Sequence, residues 1–255
     1  MSGFTVVTWN ILADAYVKPG RYEDSPPGAL EPETRRQGLL TALAGFDADL
    51  ICLQEVEPHV FDRIAGHLRP HGWDWRYCAK GRGKPDGCAT GFRPTRLELV
   101  AELRFEYPDG GERSDSGHVA HLLRFGLDGR RFTCANTHLK WSRRRGDDPH
   151  LGRRQLSLLL GRLDAADDRI LCGDFNLSPD DPAFDQVTAA GLASGLPPEP
   201  TANFNGGPRT LDYICCPVGW DVDPLPRRDV SATGGLPDLR DPSDHIPVGA
   251  RLTVA

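Results

Sequence analysis

The chain contains no apolar run long enough to cross a membrane. A transmembrane helix needs about 20 consecutive, mostly apolar residues, and no stretch of the 255 residues approaches that length. The first ten residues, MSGFTVVTWN, lack the charged start and the long apolar middle of a secretory signal peptide. These absences predict a cytoplasmic protein that does not contact a membrane.

The cysteines and histidines lack the spacings of common metal and redox sites. The seven cysteines are odd in number and include no CxxC pair, which disfavours a complete disulfide framework or a thiolate zinc site. The histidines show no HExxH spacing, and the glycine-rich stretch GRGKPDGCATGF lacks the GxxxxGK[ST] pattern of a nucleotide-binding P-loop. Cys52 and Cys172 lie within apolar runs and are interpreted as small core residues, and no base adjoins Cys88 in sequence to activate its thiol.

Positive charge is not in excess either. The formal net charge is −6, which argues against a protein that coats nucleic acid without specificity. A local basic track beside an acidic site remains compatible with that balance. Hydrophobic residues (39%) and charged residues (26%) occur in ordinary proportions for a globular protein. We expect one domain over residues 1–255.

Many short apolar runs predict strands, and two longer patterns predict helices. PETRRQGLLTALAGF opens with Pro32 and repeats leucine at helical spacing, as does LGRRQLSLLLGRL. The Asp-Gly pair in residues 126–130 is typical of a hairpin turn. This order predicts two packed sheets covered outside by helices. The strand-like runs are FTVVTW, DLICLQ, WDWRYCA, CATGFR, LELVAEL, HVAHLLRF, RFTCANTHL, RILCGDF, TLDYICC and VGARLTV.

Polar residues recur at the ends of these strand-like runs. In ILCGDFNLSP, a strand expected to be buried on both faces ends in Gly173, which suits a close backbone approach, and then in Asp174 and Asn176. Each such residue taken alone could be a turn residue, a helix cap or a satisfied core group. Six strands that end in this way could instead bring their polar ends to one edge of the fold. The other members of the set are Asn10, Glu55, Asn136, His138, Asp212, Asp244 and His245.

These residue types favour phosphoryl chemistry. Carboxylate and amide oxygens are hard ligands that suit Mg²⁺ or Mn²⁺, with water and substrate phosphate completing the shell. Asp174 could position or deprotonate a water molecule. His245 could donate a hydrogen bond to a phosphate oxygen as charge accumulates there, with Asp244 contributing to its charge and orientation.

The motifs TWNIL, LQEV, THLK, GDFN, LDYI and SDHIPV, in this order across nearly the whole chain, resemble the endonuclease/exonuclease/phosphatase family. The resemblance implies an α/β fold, a four-layer α/β/β/α sandwich of two mixed, largely antiparallel sheets flanked by helices, and metal-dependent phosphoester hydrolysis. It leaves the choice between one and two metal ions open. The roles that it implies are metal binding by Glu55 with help from Asn10, phosphate contact by His138 and His245, alignment or activation of water by Asp174 and Asn176, support of the site or of a second metal by Asp212, and orientation of His245 by Asp244.

A narrower resemblance lies in NILADAYV, DGCATGFR, DPHLGRRQLSLLL and DFNLSPDDPAFD. These stretches are similar to the branch of carbon-catabolite-repressor-type deadenylases, nocturnin, angel proteins and the 2′,5′-oligoadenylate phosphodiesterase. The substrates of that branch are mostly RNA ends, although nocturnin acts on a phosphorylated dinucleotide and angel proteins remove cyclic phosphates. The resemblance therefore implies 3′ exoribonuclease, 2′,5′-phosphodiesterase or 2′,3′-cyclic phosphatase activity without fixing the substrate. No leucine-rich repeat is present, so no obligate protein partner is evident.

The expected substrate is RNA, an oligonucleotide or a nucleotide, held by a basic and aromatic rim. Lys140, Trp141, Arg143 and Arg144 follow THLK and could contact phosphates and a base, and Phe204 could stack on a second base. A solvated charged loop is the alternative for each. Two other functions remain open, namely an abasic-site DNA endonuclease and a non-catalytic binding module on the same scaffold.

Overall fold

The fold is taken from a computed structural model, which describes residues 3–18, 20–109, 115–142, 150–163, 166–204, 207–230 and 234–254. The helices of this part of the chain are α1 (Pro32–Ala44), α2 (Pro58–Leu68), α3 (Leu151–Arg162) and α4 (Phe184–Ala189), with short 3-10 turns at Asp14–Tyr16 and Arg69–His71. The strands are β1 (Gly3–Asn10), β2 (Leu50–Val56), β3 (Asp74–Ala79), β4 (Gly87–Phe92), β5 (Glu98–Glu106), β6 (Val119–Leu127), β7 (Arg130–His138), β8 (Asp168–Asp174), β9 (Leu192–Ser194), β10 (Ala202–Phe204), β11 (Gly207–Arg209), β12 (Asp212–Pro217), β13 (Asp221–Pro224) and β14 (Val248–Thr253).

Two six-stranded sheets form the centre of the molecule. The first has the order β13-β14-β1-β2-β4-β3, and the second has the order β5-β6-β7-β8-β12-β9. The pairs β1–β2 and β7–β8 are parallel, whereas the other pairings within these sheets are antiparallel. Strands β10 and β11 form a separate hairpin. Both large sheets are therefore mixed and largely antiparallel, as predicted.

Helices cover the outer face of each sheet. Leucines of α1 and apolar residues of α2 pack on the first sheet, and α3 and α4 pack on the second. The inner faces of the two sheets meet in a core in which Phe4 of β1 stacks on Phe132 of β7 at a ring distance of 4.8 Å. The architecture is the expected four-layer α/β/β/α sandwich. None of the helices in the described residues is long and apolar enough to span a bilayer.

Apolar runs located the long elements well. All ten predicted runs form strands, α1 begins at Pro32, and Asp128 and Gly129 make the two-residue turn between β6 and β7 with positive φ angles of 49° and 81°. Leu39 and Leu43 are buried as predicted. Helices α2 and α4 and the short strands β9, β10, β11 and β13 have no counterpart among the predicted elements. Three to six residues carry too little periodicity to indicate an element, and α2 follows β2 almost without a break.

A buried polar contact joins the two sheets just below the edge where the strands end. Gln54 of β2 donates from Nε2 to Asn136 Oδ1 of β7 at 2.8 Å. Asn136 in turn donates from Nδ2 to the carbonyl oxygens of Ala89 and Leu53 at 2.9 and 3.2 Å. An unpaired amide in this interior would lose its hydration without compensation. The contact therefore favours a single register of one sheet against the other.

Gly173 precedes the last residue of β8 and allows the backbones of β8 and β7 to approach each other more closely than any side chain would permit. Its φ is 147°, and a Cβ atom there would lie only 1.8 Å from the carbonyl oxygen of Thr137 on the neighbouring strand. Any side chain would therefore push β8 away from β7. The position of the strand end depends on this glycine.

We predict that Gly173→Ala lowers the free energy of unfolding by at least about 2 kcal/mol, because the methyl group must displace backbone. Urea unfolding measures the change. Gly161→Ala on α3 is the matched control, since no atom lies within 4 Å of its added Cβ, and it should be neutral or stabilising by up to about 1 kcal/mol. Equal effects at both positions would contradict the close approach.

Candidate active site

Strand register brings the predicted polar residues to one edge of the sandwich. In the second sheet His138 of β7 and Asp212 of β12 each stand opposite Asp174 of β8. In the first sheet Asn10 at the end of β1 stands opposite Gln54, one residue before Glu55. The polar ends of five strands therefore share one level of the fold.

Asn10 bridges the two sheets at this level. Its amide nitrogen donates to Glu55 Oε1 at 3.1 Å and to Asp174 Oδ2 at 3.0 Å. Its amide oxygen accepts from the backbone nitrogen of Leu12 at 3.0 Å, which defines the orientation of the amide. A second backbone nitrogen, that of Ala13, donates to Glu55 Oε2 at 3.0 Å. Asn10 thus holds a carboxylate from each sheet in place.

Two residues of the site adopt left-handed backbone conformations. Glu55 has φ 56° and lies where the pairing of β2 with β4 shifts register, and Asn176 has φ 52°. Asparagine tolerates this region because its short side chain can bond nearby backbone, whereas glutamate adopts it at a cost of order 1–3 kcal/mol. Such strain in a charged residue beside a cavity is typical of a functional site.

His245 is held by a carboxylate from another strand. Its Nδ1 lies 2.8 Å from Asp212 Oδ2, which also accepts from the Thr201 hydroxyl at 2.6 Å. The prediction that Asp244 orients His245 was wrong, although the charge of Asp244 does help to raise the pKa of the imidazole. Asp244 also faces the cavity, but its Oδ2 accepts from the Tyr22 hydroxyl at 3.0 Å, which directs that carboxylate at a different group.

Opposite charge surrounds His245. Burial by itself lowers the pKa of this imidazole, but the carboxylates of Asp212 and Asp174 outweigh burial and hold the pKa well above its usual range. His245 Nε2 lies 3.7 Å from Asp174 Oδ2. Burial raises the pKa of Asp174 to about 7, although the positive charge of His245 opposes this rise. Asp174 therefore exchanges a proton near neutral pH.

A positive charge lies nearest to the second imidazole, with the carboxylates of Glu55 and Asp174 farther away at 3.9 and 3.6 Å. His138 Nδ1 lies 3.2 Å from the ammonium nitrogen of Lys80, and its Nε2 lies 3.1 Å from Asn176 Nδ2. Burial and then the charge of Lys80 hold the pKa of His138 well below its usual range. The two histidines of the site therefore differ in charge near neutral pH, with His245 protonated and His138 neutral.

These groups line a cavity of about 500 Å³. Its floor is polar and its rim combines aromatic and cationic side chains. Trp141 is 45% exposed at the rim, and the guanidinium of Arg209 lies over the Phe204 ring at 4.8 Å. The lining residues are Glu55, His138, Asp174, Asn176, Asp244 and His245 on the floor, with Arg21, Trp141, Phe204, Arg209 and Leu211 around them.

Of the predicted basic rim, the structure describes Lys140 and Trp141. Lys140 does not line the cavity, and its backbone nitrogen donates to Gln155 Oε1 at 2.8 Å. Burial and the charges of Lys84 and Lys80 lower the pKa of Lys140, which places its ammonium group in a positive region. Arg143 and Arg144 lie outside the described residues.

A profile of the Endonuclease/Exonuclease/phosphatase family matches residues 7–245. The chain belongs to the endonuclease/exonuclease/phosphatase family. It is 28% identical over 331 residues to "Carbon catabolite repressor protein 4 homolog 4" of Arabidopsis thaliana, covering 98% of this chain and 78% of that protein.

Other members of the family are also similar to the chain. "Protein angel homolog 1" of Rattus norvegicus is 31% identical over 216 residues, which cover 76% of this chain but 32% of that longer protein. The fold superposes on the crystal structure of ANGEL2, described as a 2′,3′-cyclic phosphatase in complex with adenosine-2′,3′-vanadate. The TM-score is 0.86, with 23% sequence identity and coverage of 98% of this chain and 95% of that chain.

The floor of the cavity fits the divalent cation expected of a family member. Glu55, Asp174 and Asp244 all face the cavity. Burial and the negative charge of Asp244 raise the pKa of Glu55, whereas Lys80 opposes this rise. A cation reduces the repulsion between carboxylates that raise one another's pKa in this way, and carboxylate oxygens suit Mg²⁺ or Mn²⁺.

The sulfur atoms of Cys52, Cys134 and Cys172 also lie together, but they are fully buried within the apolar core between the sheets, as predicted for Cys52 and Cys172.

Several side chains of the site were not predicted from the sequence. Arg21 and Arg209 line the cavity, and Lys80, Asp86 and Tyr22 contact its floor residues or support them. Each lies in a loop or a short strand, although Lys80 directly follows the run WDWRYCA that forms β3. The signals in the sequence were this strand-end position and the glycine-rich stretch that Lys80 and Asp86 flank. Cys88 in that stretch is buried, and burial raises the pKa of its thiol, which disfavours a thiolate nucleophile.

The raised pKa of Asp174 predicts a pH dependence of stability in metal-free protein. Between its unfolded pKa of 3.8 and its folded pKa of about 7, the folded state binds the proton more tightly. The contribution of Asp174 to stability is therefore present at low pH and is lost as pH rises through about 7. Relative to Asp174→Asn, the free energy of unfolding of the wild type should fall across this window by up to about 1.4 kcal/mol per pH unit. Chelator-treated samples unfolded in urea between pH 4 and 8 measure the difference, and a difference that rises with pH would contradict the raised pKa.

Proposed function

We propose that the chain is a divalent-metal-dependent hydrolase of phosphoester bonds at RNA ends or in oligonucleotides and nucleotides. The observation that carries this proposal is one cavity whose floor holds buried carboxylates and two imidazoles and whose rim holds two aromatic rings. Both sheets contribute to that floor, so we take residues 1–255 to act as one catalytic domain. We further propose that it works in the cytoplasm.

Glu55 would hold the metal ion, with Asn10 keeping its carboxylate in position. The bound ion would neutralise charge on the substrate phosphate and orient it for attack. Asp174 accepts a proton from the attacking water, because a carboxylate whose pKa is about 7 is a suitable base at neutral pH. The backbone nitrogen of Asn176 donates to Asp174 Oδ1 at 2.9 Å, which leaves the other carboxylate oxygen directed toward the imidazoles.

His245 contributes positive charge beside Asp174. As an imidazolium held by Asp212, it donates from Nε2 to a phosphate oxygen whose negative charge grows in the transition state. Asp212 keeps the ring oriented because it is itself held by Thr201. This contact is stronger in the transition state than in the ground state, so it accelerates the reaction rather than only tightening binding.

The rim favours a nucleotide as the group next to the scissile phosphate. Phe204 and Trp141 offer faces on which a base can stack, and Arg21 and Arg209 supply positive charge beside them. The similarity to a carbon catabolite repressor protein 4 homolog and to a 2′,3′-cyclic phosphatase supports substrates of this kind. The rim does not select among a linear 3′ end, a 2′,5′ linkage and a 2′,3′-cyclic phosphate.

The decisive experiment is a panel of labelled substrates with metal removed and restored. Linear RNA, a 2′,5′-linked oligonucleotide, an RNA with a 2′,3′-cyclic phosphate and an abasic DNA duplex are incubated with chelator-treated protein alone and with Mg²⁺ or Mn²⁺. We expect product from at least one RNA only when metal is present, with the cleaved bond identified by mass. Incision of the abasic duplex alone would favour the DNA endonuclease, and no product from any substrate would favour a binding module.

Asp174→Asn and His245→Ala should each lower kcat at least about 100-fold, while the dissociation constant for substrate changes much less, because both groups act mainly in the transition state. Steady-state kinetics and binding by fluorescence anisotropy measure the two effects. Asp168→Asn, at the other end of β8, is the matched control and should retain wild-type kcat. Losses of equal size in rate and binding would contradict these roles.

Phe204→Ala should weaken binding of a nucleotide substrate about 10-fold, because base stacking on an aromatic ring contributes about 1–3 kcal/mol. The KM for a phosphoester without a base should change little. Val218→Ala, which removes an apolar side chain that is 68% exposed away from the cavity, is the control. A similar rise in KM for both substrates would show that Phe204 supports the cavity without contacting a base.

A further inference from the structure

Lys80 is a buried cation behind the cavity. Its side chain is 1% exposed, and its ammonium nitrogen lies 2.5 Å from Asp86 Oδ2. The other oxygen of Asp86 accepts from the Tyr16 hydroxyl at 2.7 Å. Burying both charges costs hydration free energy, and only a close, well-oriented contact between the two groups can offset that cost. The third contact of this cluster is His138 Nδ1, 3.2 Å from the ammonium group.

The charge of Lys80 determines which nitrogen of His138 carries the proton. An ammonium group has only donors, so a stable contact requires Nδ1 to accept. A neutral imidazole that accepts at Nδ1 carries its hydrogen on Nε2. The opposite tautomer would direct an N–H group at a cation 3.2 Å away, which is electrostatically unfavourable.

Asn176 does not reverse this assignment, although its Nδ2 lies 3.1 Å from His138 Nε2. The amide nitrogen of Asn176 has another acceptor, the carbonyl oxygen of Leu139 at 3.0 Å. Two neutral N–H groups that face each other cost less than an N–H group that faces a full positive charge, so the contact with Lys80 decides the tautomer. Two donors, Nε2–H of His138 and Nδ2–H of Asn176, consequently lie side by side on the cavity floor, which is an arrangement that suits an oxygen atom with negative charge.

We propose that Lys80 is a positioning residue that fixes His138 as the Nε2–H tautomer and thereby makes it a hydrogen-bond donor to a nonbridging phosphate oxygen of the substrate. The donor role of His138 rests on the function proposed above, whereas the tautomer does not. Lys80 does not line the cavity, so it acts through His138 without touching the substrate. Asp86, held by Tyr16, keeps the ammonium group directed at Nδ1.

The tautomer is measured directly by ¹⁵N NMR of the histidine rings in metal-free protein, with the His138 signals assigned by their loss in His138→Gln. We expect the wild type to show a protonated Nε2 and an unprotonated Nδ1. Lys80→Met, which removes the donor and its charge but keeps an unbranched side chain, should lose that pattern and populate the Nδ1–H form. An Nδ1–H ring in the wild type, or an unchanged pattern in Lys80→Met, would overturn the proposal.

A double-mutant cycle tests whether Lys80 acts through His138. On the substrate that the labelled panel identifies, Lys80→Met should lower kcat on the order of 10- to 100-fold with little change in KM. Added to His138→Ala, it should cost no more than about 2-fold further, because the group that it positions is already absent. Independent, multiplicative losses would overturn the proposal. Lys84→Met, which removes a positive charge from the same loop, is the control and should stay close to the wild type.

The two measurements separate failure of this proposal from failure of the proposed function. If the chain hydrolyses no phosphoester, the NMR pattern still decides whether Lys80 fixes the tautomer. If Lys80→Met fails to fold, the wild-type ring pattern still tests the tautomer, and a second variant tests its cause. Tyr16→Phe then serves as the milder variant, because it removes only the hydroxyl that holds Asp86, and it should shift the ring toward a mixture of tautomers. An unchanged Nε2–H pattern in Tyr16→Phe would count against the positioning chain.

Discussion

The hydrogen bonds of Asn10 to Glu55 and Asp174 are the contact on which the site depends. They join the ends of strands from different sheets, so the distance between the two carboxylates is determined by how the sheets pack. The amide has no freedom to move away, because its oxygen is held by backbone. Below it, the contact between Gln54 and Asn136 joins the same two sheets. A buried polar group that must keep its partners allows only one alignment of the layers.

The two imidazoles show how neighbouring charges assign different chemistry to the same side chain. His245 has a carboxylate at Nδ1, whereas His138 has an ammonium group there. The first is thereby held as a cation and the second as a neutral ring, although both are buried in one cavity. A pair of identical residues with opposite environments can supply charge and hydrogen bonding separately. Burial raises the pKa of Asp174 to about 7, against the opposing positive charge of His245.

The sequence predicted the layered fold and most of the cavity floor for identifiable reasons. Long apolar runs of β1, β2, β7, β8 and β12 mark strands whose faces are all covered, and their polar last or first residues stand out against that background. The helix α2 has an amphipathic pattern but was not recognised, because it begins two residues after β2 ends. Arg21 and Arg209 lie outside any periodic segment, so no local pattern distinguishes them from ordinary surface charges. Lys80 directly follows β3, so its strand-end position could have indicated it.

The sequence by itself determined which chemical groups are present and that they occur at the ends of buried strands. The tertiary structure decided which groups touch. Asp244 is next to His245 in the chain, yet Asp212, 33 positions away, holds the ring. Likewise Lys80 contacts His138 across 58 positions. Strand direction and register govern such pairs, since they depend on contacts between distant segments and on the side of the backbone from which each side chain projects.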